Sequence, residues 1–239
     1  MIRALTVVLL VLFNSASAMP AEKITAQSWL VADGDGKILE GQNTNSQRSI
    51  ASITKLMTTM VVLDAGQDLN EKIGAYTRRE MIQLAMVKSD NVQSERLCTA
   101  YPGGRVACVR DMNLKAQSLG LTQTRYVDPT GLGVMNVSTA EELIRIAMAA
   151  RHYPEIIFAS QLSEIKIQIR KKWAVFRNTN PIIGKRYHFI VSKTGYIRAA
   201  GGCIVMMLDT DVGRRIVVVL GSKNTHTRIP EAEFIALRE

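Results

Sequence analysis

The chain has 239 residues, of which 47% are hydrophobic and 5% aromatic, and its formal net charge is +9. This length is typical of one domain, or of one domain with two lobes. The basic residues are scattered, and their densest run, Arg170-Lys171-Lys172, is followed at once by Trp173. The low aromatic content argues against a stacking platform for nucleic acid. The charge predicts a solvated basic face, or attraction to an anionic polymer such as a cell wall, or to a membrane surface.

The first 18 residues have the pattern of a secretory signal peptide. Arg3 precedes an apolar run at residues 4–13, and the small residues 15–18 are typical of a cleavage site. A membrane anchor is the alternative, but the run has only about half of the ~20 residues that cross a bilayer. We therefore expect an exported, soluble, periplasmic protein with no stable membrane anchor, in which residues 19–239 form a single domain.

Strand and helix patterns alternate in the first part of the chain. Residues 27–33 and 37–41 are predicted strands, joined by the D-G-D-G turn at 33–36. Apolar residues then recur at helical spacing. The predicted helices are 50–65, 78–87, 92–101 and 105–119. Gly120 is the expected cap of the last of these. Ser138, with Glu141 three residues later, predicts a capping box for a further helix that ends near Arg151.

After residue 160 the hydrophobic period changes to two, which is typical of strands. Ile165, Ile167 and Ile169 alternate with polar residues. Further strands are predicted at 189–192, 202–208 and 216–220, and a final helix at 230–238. Because strands open and close the chain and helices fill its middle, the sequence predicts an α+β fold. Its antiparallel sheet would combine N- and C-terminal segments, flanked by helices and interrupted by a mostly helical insert.

Three cysteines lie at positions 98, 108 and 203, without any C-x-x-C motif. The three histidines are not spaced as metal ligands, so we predict no metal site. An exported protein can form disulfides. Cys98 and Cys108 flank a P-G-G turn at 102–104, so a helical hairpin could bring them together. Three unpaired buried thiols are the alternative.

Three short motifs follow one another along the chain: S-x-x-K at 52–55, S-D-N at 89–91 and K-T-G at 193–195. The set is typical of a serine nucleophile, a lysine that takes its proton and a cationic strand that holds a carboxylate. Ser52 and Lys55 share a face of the predicted helix. A serine hydroxyl needs a base to become a good nucleophile, and a lysine with a depressed pKa can serve. The helix N-terminus also directs N–H groups toward a developing oxyanion.

Each motif alone is weak evidence, because single copies could be a helix cap, a loop cap and a solubilising lysine on an edge strand. A second S-x-x-K lies at 163–166, but in a predicted strand its Ser and Lys would face opposite sides. A second S-x-N lies at 222–224, after the single K-T-G. Order and placement therefore favour the copies that contain Ser52, Ser89 and Lys193.

Residues 48–58 resemble the active-site segment of the low-molecular-weight penicillin-binding proteins, the serine D-Ala-D-Ala peptidases. Four further segments resemble the D-alanyl-D-alanine endopeptidase branch of that family: 101–104, 128–132, 136–140 and 176–180. The similarity covers nearly all of the chain after residue 18.

The resemblance implies a role for each catalytic residue. Ser52 would attack the carbonyl of the penultimate D-alanine, or of the D-residue in a D,D-cross-link, and carry the acyl group until water releases it. Lys55 would accept the Ser52 proton, and Ser89 would relay a proton toward the leaving amine. No cofactor is implied. The implied partners are peptidoglycan stem peptides and β-lactam antibiotics, which would acylate Ser52 as substrate mimics.

The resemblance also assigns substrate binding to Asn91, Lys193, Thr194, Gly195 and Tyr196. Asn91 would bind the substrate amide, and the K-T-G strand would hold the carboxylate through Lys193 and Thr194. The backbone N–H groups of Ser52 and Tyr196 would form the oxyanion hole.

Two departures from the family pattern stand out. The segment between Leu63 and Val87 is shorter than usual, and the missing piece is expected to be a surface strand and loop near the cleft rim. The chain also ends soon after its last helix, without the β-rich domain and amphipathic anchor of many family carboxypeptidases. This ending fits the smaller endopeptidase branch.

Two other functions stay open. A serine β-lactamase uses the same motifs but needs fast deacylation, and no segment resembles the loop that supplies its deacylating glutamate. Glu141 and Glu142 are better interpreted as capping residues at a helix start. A peptidoglycan-binding protein that has lost activity through the shortened segment would keep the cleft.

Overall fold

The computed structural model of the chain describes residues 24–238, so the predicted signal peptide lies outside the described residues. The strands are β1 (Ser28–Asp33), β2 (Ile38–Gln42), β3 (Arg48–Ser49), β4 (Lys72–Ile73), β5 (Tyr76–Thr77), β6 (Val137–Ser138), β7 (Glu164–Ile169), β8 (Lys172–Arg177), β9 (His188–Ile197), β10 (Gly201–Thr210) and β11 (Gly213–Ser222). The helices are α1 (Thr54–Asp64), α2 (Arg78–Gln83), α3 (Asn91–Thr99), α4 (Gly104–Ser118), α5 (Ala140–Ala150), α6 (Pro154–Gln161) and α7 (Arg228–Ala236).

Five strands form an antiparallel sheet in the order β2-β1-β11-β10-β9. The central strand β11 is buried on both faces, which explains its uninterrupted apolar run. Val217 and Val219 pack on the side of α7, whereas Val218 and Leu220 join the larger core on the helical side. The predicted α+β fold, with a sheet built from both ends of the chain, is confirmed.

The helical insert surrounds α1. This helix is apolar on nearly all sides, and its residues from Thr54 to Val62 are buried. A helix buried all round is typical of the centre of a larger protein. Its N-terminal end is thereby held rigidly beneath the edge of the sheet, at strand β9, where the first motif lies.

Several predicted boundaries were wrong. The helix predicted at 78–87 ends as α2 at Gln83 and continues as one π-helical turn, Leu84–Lys88. The cap of α5 is Thr139, which accepts a hydrogen bond from Glu142 N at 3.1 Å, because Ser138 is held in the β3–β6 pair. Helix α6 and strand β8 were not predicted, since short segments carry little periodicity.

Cys98 in α3 and Cys108 in α4 form a disulfide across the tight turn that joins these helices. Cys203 is buried and free. The open question about the cysteines is therefore decided in favour of the helical hairpin. The disulfide closes α3 onto α4, and α3 begins at the motif residue Asn91.

We predict that replacing Cys98 and Cys108 by serine lowers the free energy of unfolding by about 2–3 kcal/mol, because the disulfide restricts the unfolded chain over a short loop. For a domain of this size, the melting temperature would fall by about 5–10 °C. Thermal unfolding with and without a reductant checks this. The reductant should lower the melting temperature of the unmodified chain and leave the double variant unchanged; equal stability of all samples would contradict the prediction.

Candidate active site

The first motif lies at the junction between a 3₁₀ turn, Ala51–Ile53, and helix α1. Ala51 has a φ of 46°, in the left-handed region that non-glycine residues rarely adopt. Such conformations persist where the surrounding structure holds them, often at functional sites. Ser52 follows directly and is only partly buried, while Lys55 one turn later is fully buried. The Lys55 Nζ lies 2.8 Å from the Ser52 Oγ, so the predicted pair is brought together.

The Lys55 amine is surrounded by acceptors. Besides Ser52, its Nζ donates to Asn91 Oδ1 at 2.7 Å and to the Thr130 carbonyl at 2.6 Å. Burial lowers the pKa of Lys55 to about 7, while the charges of Asp128 and Asp90 act in the opposite direction. A substantial fraction of Lys55 is therefore neutral near pH 7 and can accept a proton.

The turn at residues 128–131 holds the Thr130 carbonyl in place. The Asp128 carboxylate accepts hydrogen bonds from Thr130 N, Thr130 Oγ1 and Gly131 N at 2.6 to 2.8 Å. A Cβ on Gly131 would lie 1.9 Å from the Ala51 carbonyl oxygen, so this position requires glycine. The buried Asn136 side chain donates to Thr54 Oγ1 and to the Asp128 carbonyl, and thereby ties the turn to α1.

The second motif sits where the π-helical turn ends. Ser89 has a φ of 61°, which ends that turn and redirects the chain. Asp90 then caps α3 by accepting from Gln93 N at 3.0 Å. This places Asn91 at the start of α3 with its side chain on Lys55. π-Helical turns are frequent at functional sites because they re-aim neighbouring side chains.

The third motif lies on β9, at the edge of the sheet. Lys193 is buried, and its Nζ donates to Ser89 Oγ and to the Thr194 carbonyl, both at 2.9 Å. Burial lowers its pKa well below the usual lysine value, and the nearby charges of Lys55 and Arg228 lower it further. The second motif therefore contacts both of the others: Asn91 accepts from Lys55 of the first motif, and Ser89 accepts from Lys193 of the third.

Gly195 explains why the third motif ends in glycine. A Cβ at this position would lie 2.9 Å from Ser52 N, 3.0 Å from the Ile50 carbonyl oxygen and 3.1 Å from the Ala51 Cβ. Contacts this short with the backbone would push the strand away from the 3₁₀ turn that carries Ser52. The absence of a side chain lets β9 pack directly against the backbone of Ser52.

Sequence reasoning missed Arg228. Its guanidinium, at the start of α7, donates to the Gly195 carbonyl at 2.8 Å and is largely buried, which lowers its pKa. It places a further basic side chain beside the K-T-G strand. A single arginine more than 30 residues after the K-T-G motif gives no local signal, so only the packing of α7 against the sheet reveals it.

Thr179 is a second residue that sequence reasoning quoted without assigning a role. Its Oγ1 lies 2.6 Å from Thr194 Oγ1, and its N–H donates to the Val87 carbonyl at 3.0 Å. It therefore links the K-T-G strand to the turn before Ser89.

The duplicate motifs do not belong to this site. Lys166 lies on the exposed face of β7, 3.9 Å from Glu164. Ser222 is buried and hydrogen-bonds to Thr227. Neither duplicate is among the residues that the structure brings together around Lys55 and Lys193.

A groove of about 430 Å³ borders the site beside Asn91 and Thr130. Its walls are mostly apolar and include Val92 and Leu132, whose side chains are more than half exposed. The groove provides space for a substrate group next to the Lys55 amine.

A model of the family described as D-alanyl-D-alanine carboxypeptidase matches residues 14–74 and 69–224. The chain belongs to this family. The two matches meet at residues 69–74, where the sequence predicted a shortened segment and the structure has the β4–β5 hairpin. Membership makes the chain a serine-type D-Ala-D-Ala peptidase.

Two relatives agree with this assignment. The D-alanyl-D-alanine endopeptidase of Pseudomonas aeruginosa is 37% identical, over 88% of this chain and 76% of the relative. The D-alanyl-D-alanine endopeptidase of Escherichia coli is 35% identical, over 91% of this chain and 78% of the relative.

Solved structures share the fold. Penicillin-binding protein D2 of Listeria monocytogenes, in its cefotaxime-bound form, superposes with a TM-score of 0.82 at 24% identity, covering 91% of this chain and 98% of that one. The Streptomyces K15 DD-transpeptidase superposes with a TM-score of 0.83 at 23% identity, covering 91% of this chain and 97% of that one. The predicted penicillin-binding-protein fold is confirmed.

We predict that acylation of the enzyme by a β-lactam depends on pH through Lys55. Only the neutral amine accepts the Ser52 proton, so the rate should rise about tenfold per pH unit below pH 7 and level off above it. Burial also lowers the pKa of Lys193, so loss of the proton from this lysine should reduce the rate again. Stopped-flow measurement of acylation gives the profile. A rate that is constant from about pH 5.5 to 8 would contradict a titrating base at Lys55.

Proposed function

We propose that the chain is an exported D,D-endopeptidase, which cleaves D,D-cross-links of peptidoglycan through an acyl-enzyme on Ser52. The observation that carries the proposal is the 2.8 Å contact between Ser52 Oγ and a buried amine whose pKa is about 7. Export rests on the pattern of residues 1–18. The proposal also treats residues 19–239 as a single peptidase domain, which the one sheet built from both ends of the described chain supports.

Acylation uses the first motif. Neutral Lys55 takes the proton of Ser52 as the oxygen attacks the carbonyl of the D-residue. The backbone N–H groups of Ser52 and Tyr196 stabilise the oxyanion. The hydrogen bond from Arg228 to the Gly195 carbonyl supports this assignment, since the N–H of the same trans peptide, which is that of Tyr196, points the opposite way.

The leaving amine needs a proton. Ser89, whose Oγ lies 2.9 Å from Lys193 Nζ, passes its hydroxyl proton to that amine and takes in exchange the proton that Lys55 accepted from Ser52. Asn91 binds the substrate amide while its Oδ1 accepts from Lys55. Water then attacks the acyl carbonyl and releases Ser52.

A carboxylate beside the scissile bond identifies the substrate. Both a terminal D-alanine and the acceptor side of a D,D-cross-link carry a carboxylate next to the amide nitrogen. Lys193 and Thr194 bind this group, and Arg228 adds to the positive field around it. Cleavage of cross-links is favoured over removal of terminal D-alanine because both relatives described above are named endopeptidases.

For the serine β-lactamase alternative, the two glutamates at the start of α5 are the candidates for rapid deacylation. Glu142 is buried and accepts from Thr122, Gln123 and Thr124, and Glu141 accepts from Thr44. Both glutamates therefore have structural partners. The contacts of the second motif with both Lys55 and Lys193 also argue against an inactive binding protein.

We predict covalent labelling of Ser52 by a fluorescent penicillin. Ser52→Ala should abolish labelling, and Lys55→Ala should slow it by about 10² or more, as expected for loss of a general base. Ser163→Ala, in the duplicate S-x-x-K, is the matched control and should label normally. Gel fluorescence and mass spectrometry of the labelled peptide give the result; an unlabelled wild type that still binds cell wall would overturn the catalytic proposal.

Purified cross-linked muropeptide dimers test the choice of substrate. We predict that the enzyme converts dimers to monomers faster than it releases D-alanine from monomeric pentapeptides, with both products quantified by chromatography and mass spectrometry. Release of D-alanine without dimer cleavage would make the chain a carboxypeptidase. Rapid turnover of penicillin without cleavage of either peptide would favour the β-lactamase alternative.

A further inference from the structure

We propose that the hairpin of β7 and β8, residues 164–177, is a docking arm for the peptidoglycan polymer. The inference rests on the proposed function for its choice of polymer. The arm is a two-stranded sheet of its own, separate from the five-stranded sheet. Its inner face buries Ile165 and Ile167 against the core, in register with Phe176 and Ala174.

The outer face of the arm is apolar and cationic. Trp173 has 68% of its side chain exposed and Val175 has 51%. The cations on the arm are Lys166, Arg170, Lys171, Lys172 and Arg177, all exposed. Glu164 is the one acidic residue on the arm, and it lies 3.9 Å from Lys166. Within residues 24–238, the other four cations of the arm make no salt bridge.

This combination fits a polymer that carries sugar rings and carboxylates. The face of an indole ring is electron-rich and packs against the polarised C–H groups of a sugar face. The surrounding cations attract carboxylates, such as those at the ends of stem peptides. Neither interaction requires a deep pocket, so an exposed hairpin face suffices.

A membrane surface is the other anionic partner to consider. Amphipathic elements that bind bilayers bury a broad apolar face in the headgroup region. The outer face of the arm has two apolar side chains, Trp173 and Val175, placed among Lys166, Gln168 and Arg177. That area is small for insertion into lipid, so the observations favour the polymer.

The arm is joined directly to the active site. At its base, Asn178 donates to the carbonyls of Ser163 and Leu162 at 2.8 and 2.9 Å. The next residue, Thr179, contacts Thr194 of the K-T-G strand at 2.6 Å. Five residues lie between Trp173 and Thr179, so at strand spacing the two are at most about 20 Å apart. A polymer held on the arm therefore presents its cross-links close to Ser52.

Cosedimentation with purified insoluble peptidoglycan tests the proposal. The variant Lys171→Gln/Lys172→Gln/Trp173→Ala should bind about tenfold more weakly than wild type, because both the stacking surface and two charges are lost. The charge-matched control Lys37→Gln/Lys223→Gln changes exposed lysines elsewhere and should bind as wild type does. Binding by wild type should weaken with added salt. Melting temperatures confirm that each variant is folded.

Cleavage of a soluble cross-linked dimer separates docking from catalysis. The arm variant should keep its kcat/KM on the dimer within about twofold, while its rate on intact peptidoglycan falls about tenfold. Unchanged binding to peptidoglycan, or an equal loss in the control variant, would overturn the proposal. Binding of the arm only to phosphatidylglycerol vesicles would assign it to membranes instead. A wild type that binds peptidoglycan through the arm but leaves the dimer intact would refute the proposed activity and not the docking arm.

Discussion

The site depends on the burial of the Lys55 amine and on the hydrogen bonds that it makes there. A lysine ammonium is costly to bury, and this one is stabilised by three close oxygen acceptors from three different parts of the chain. The same burial brings its pKa to about 7, so desolvation makes the neutral, proton-accepting amine available near neutral pH. Any change that let water reach Lys55 would relax the pKa toward that of an ordinary lysine.

Close backbone approach is the second constraint. Gly131 allows one turn to press against the Ala51 carbonyl, and Gly195 allows the edge strand to press against Ser52 N. Through these two contacts, the 3₁₀ turn that carries Ser52 is packed tightly between the 128–131 turn and strand β9, and its conformation is restrained from both sides. The unusual φ of Ala51 persists under this restraint, so the geometry of Ser52 is set by its surroundings and not by its own segment.

Positive charge extends from the cleft to the exterior. Lys193 and Arg228 are buried where a substrate carboxylate is expected, whereas the cations of the arm are exposed at some distance from the nucleophile. The buried charges act strongly on one nearby chemical group, because little solvent screens them. The exposed charges are screened and act on a polymer as a whole. In the proposed function, Lys193 and Arg228 recognise the group beside the scissile bond, and the arm at residues 164–177 retains the wall.

Periodicity in the sequence predicted the sheet strands, the long helices and the α+β class, because extended apolar patterns reflect burial on one or two faces. Two elements escaped prediction: α6 is a short helix, and β8 carries apolar residues on both faces, including the exposed Trp173 and Val175, so its sequence does not alternate. The π-helical turn before Ser89 resembles ordinary helix in sequence. The cap of α5 was misplaced by one residue, since Ser138 and Thr139 are equally good caps and only the pairing of β6 selects between them.

The sequence by itself determined the family and the enzyme class, and the order of the three motifs predicted the site residues Ser52, Lys55, Ser89, Asn91 and the K-T-G strand. Tertiary structure alone decided how that chemistry is made to work. The pKa of Lys55, the contact of Arg228 with the Gly195 carbonyl and the support from Thr130 and Asn136 all arise between segments far apart in sequence. Burial and hydrogen bonding are properties of the packed chain, so no local pattern encodes them.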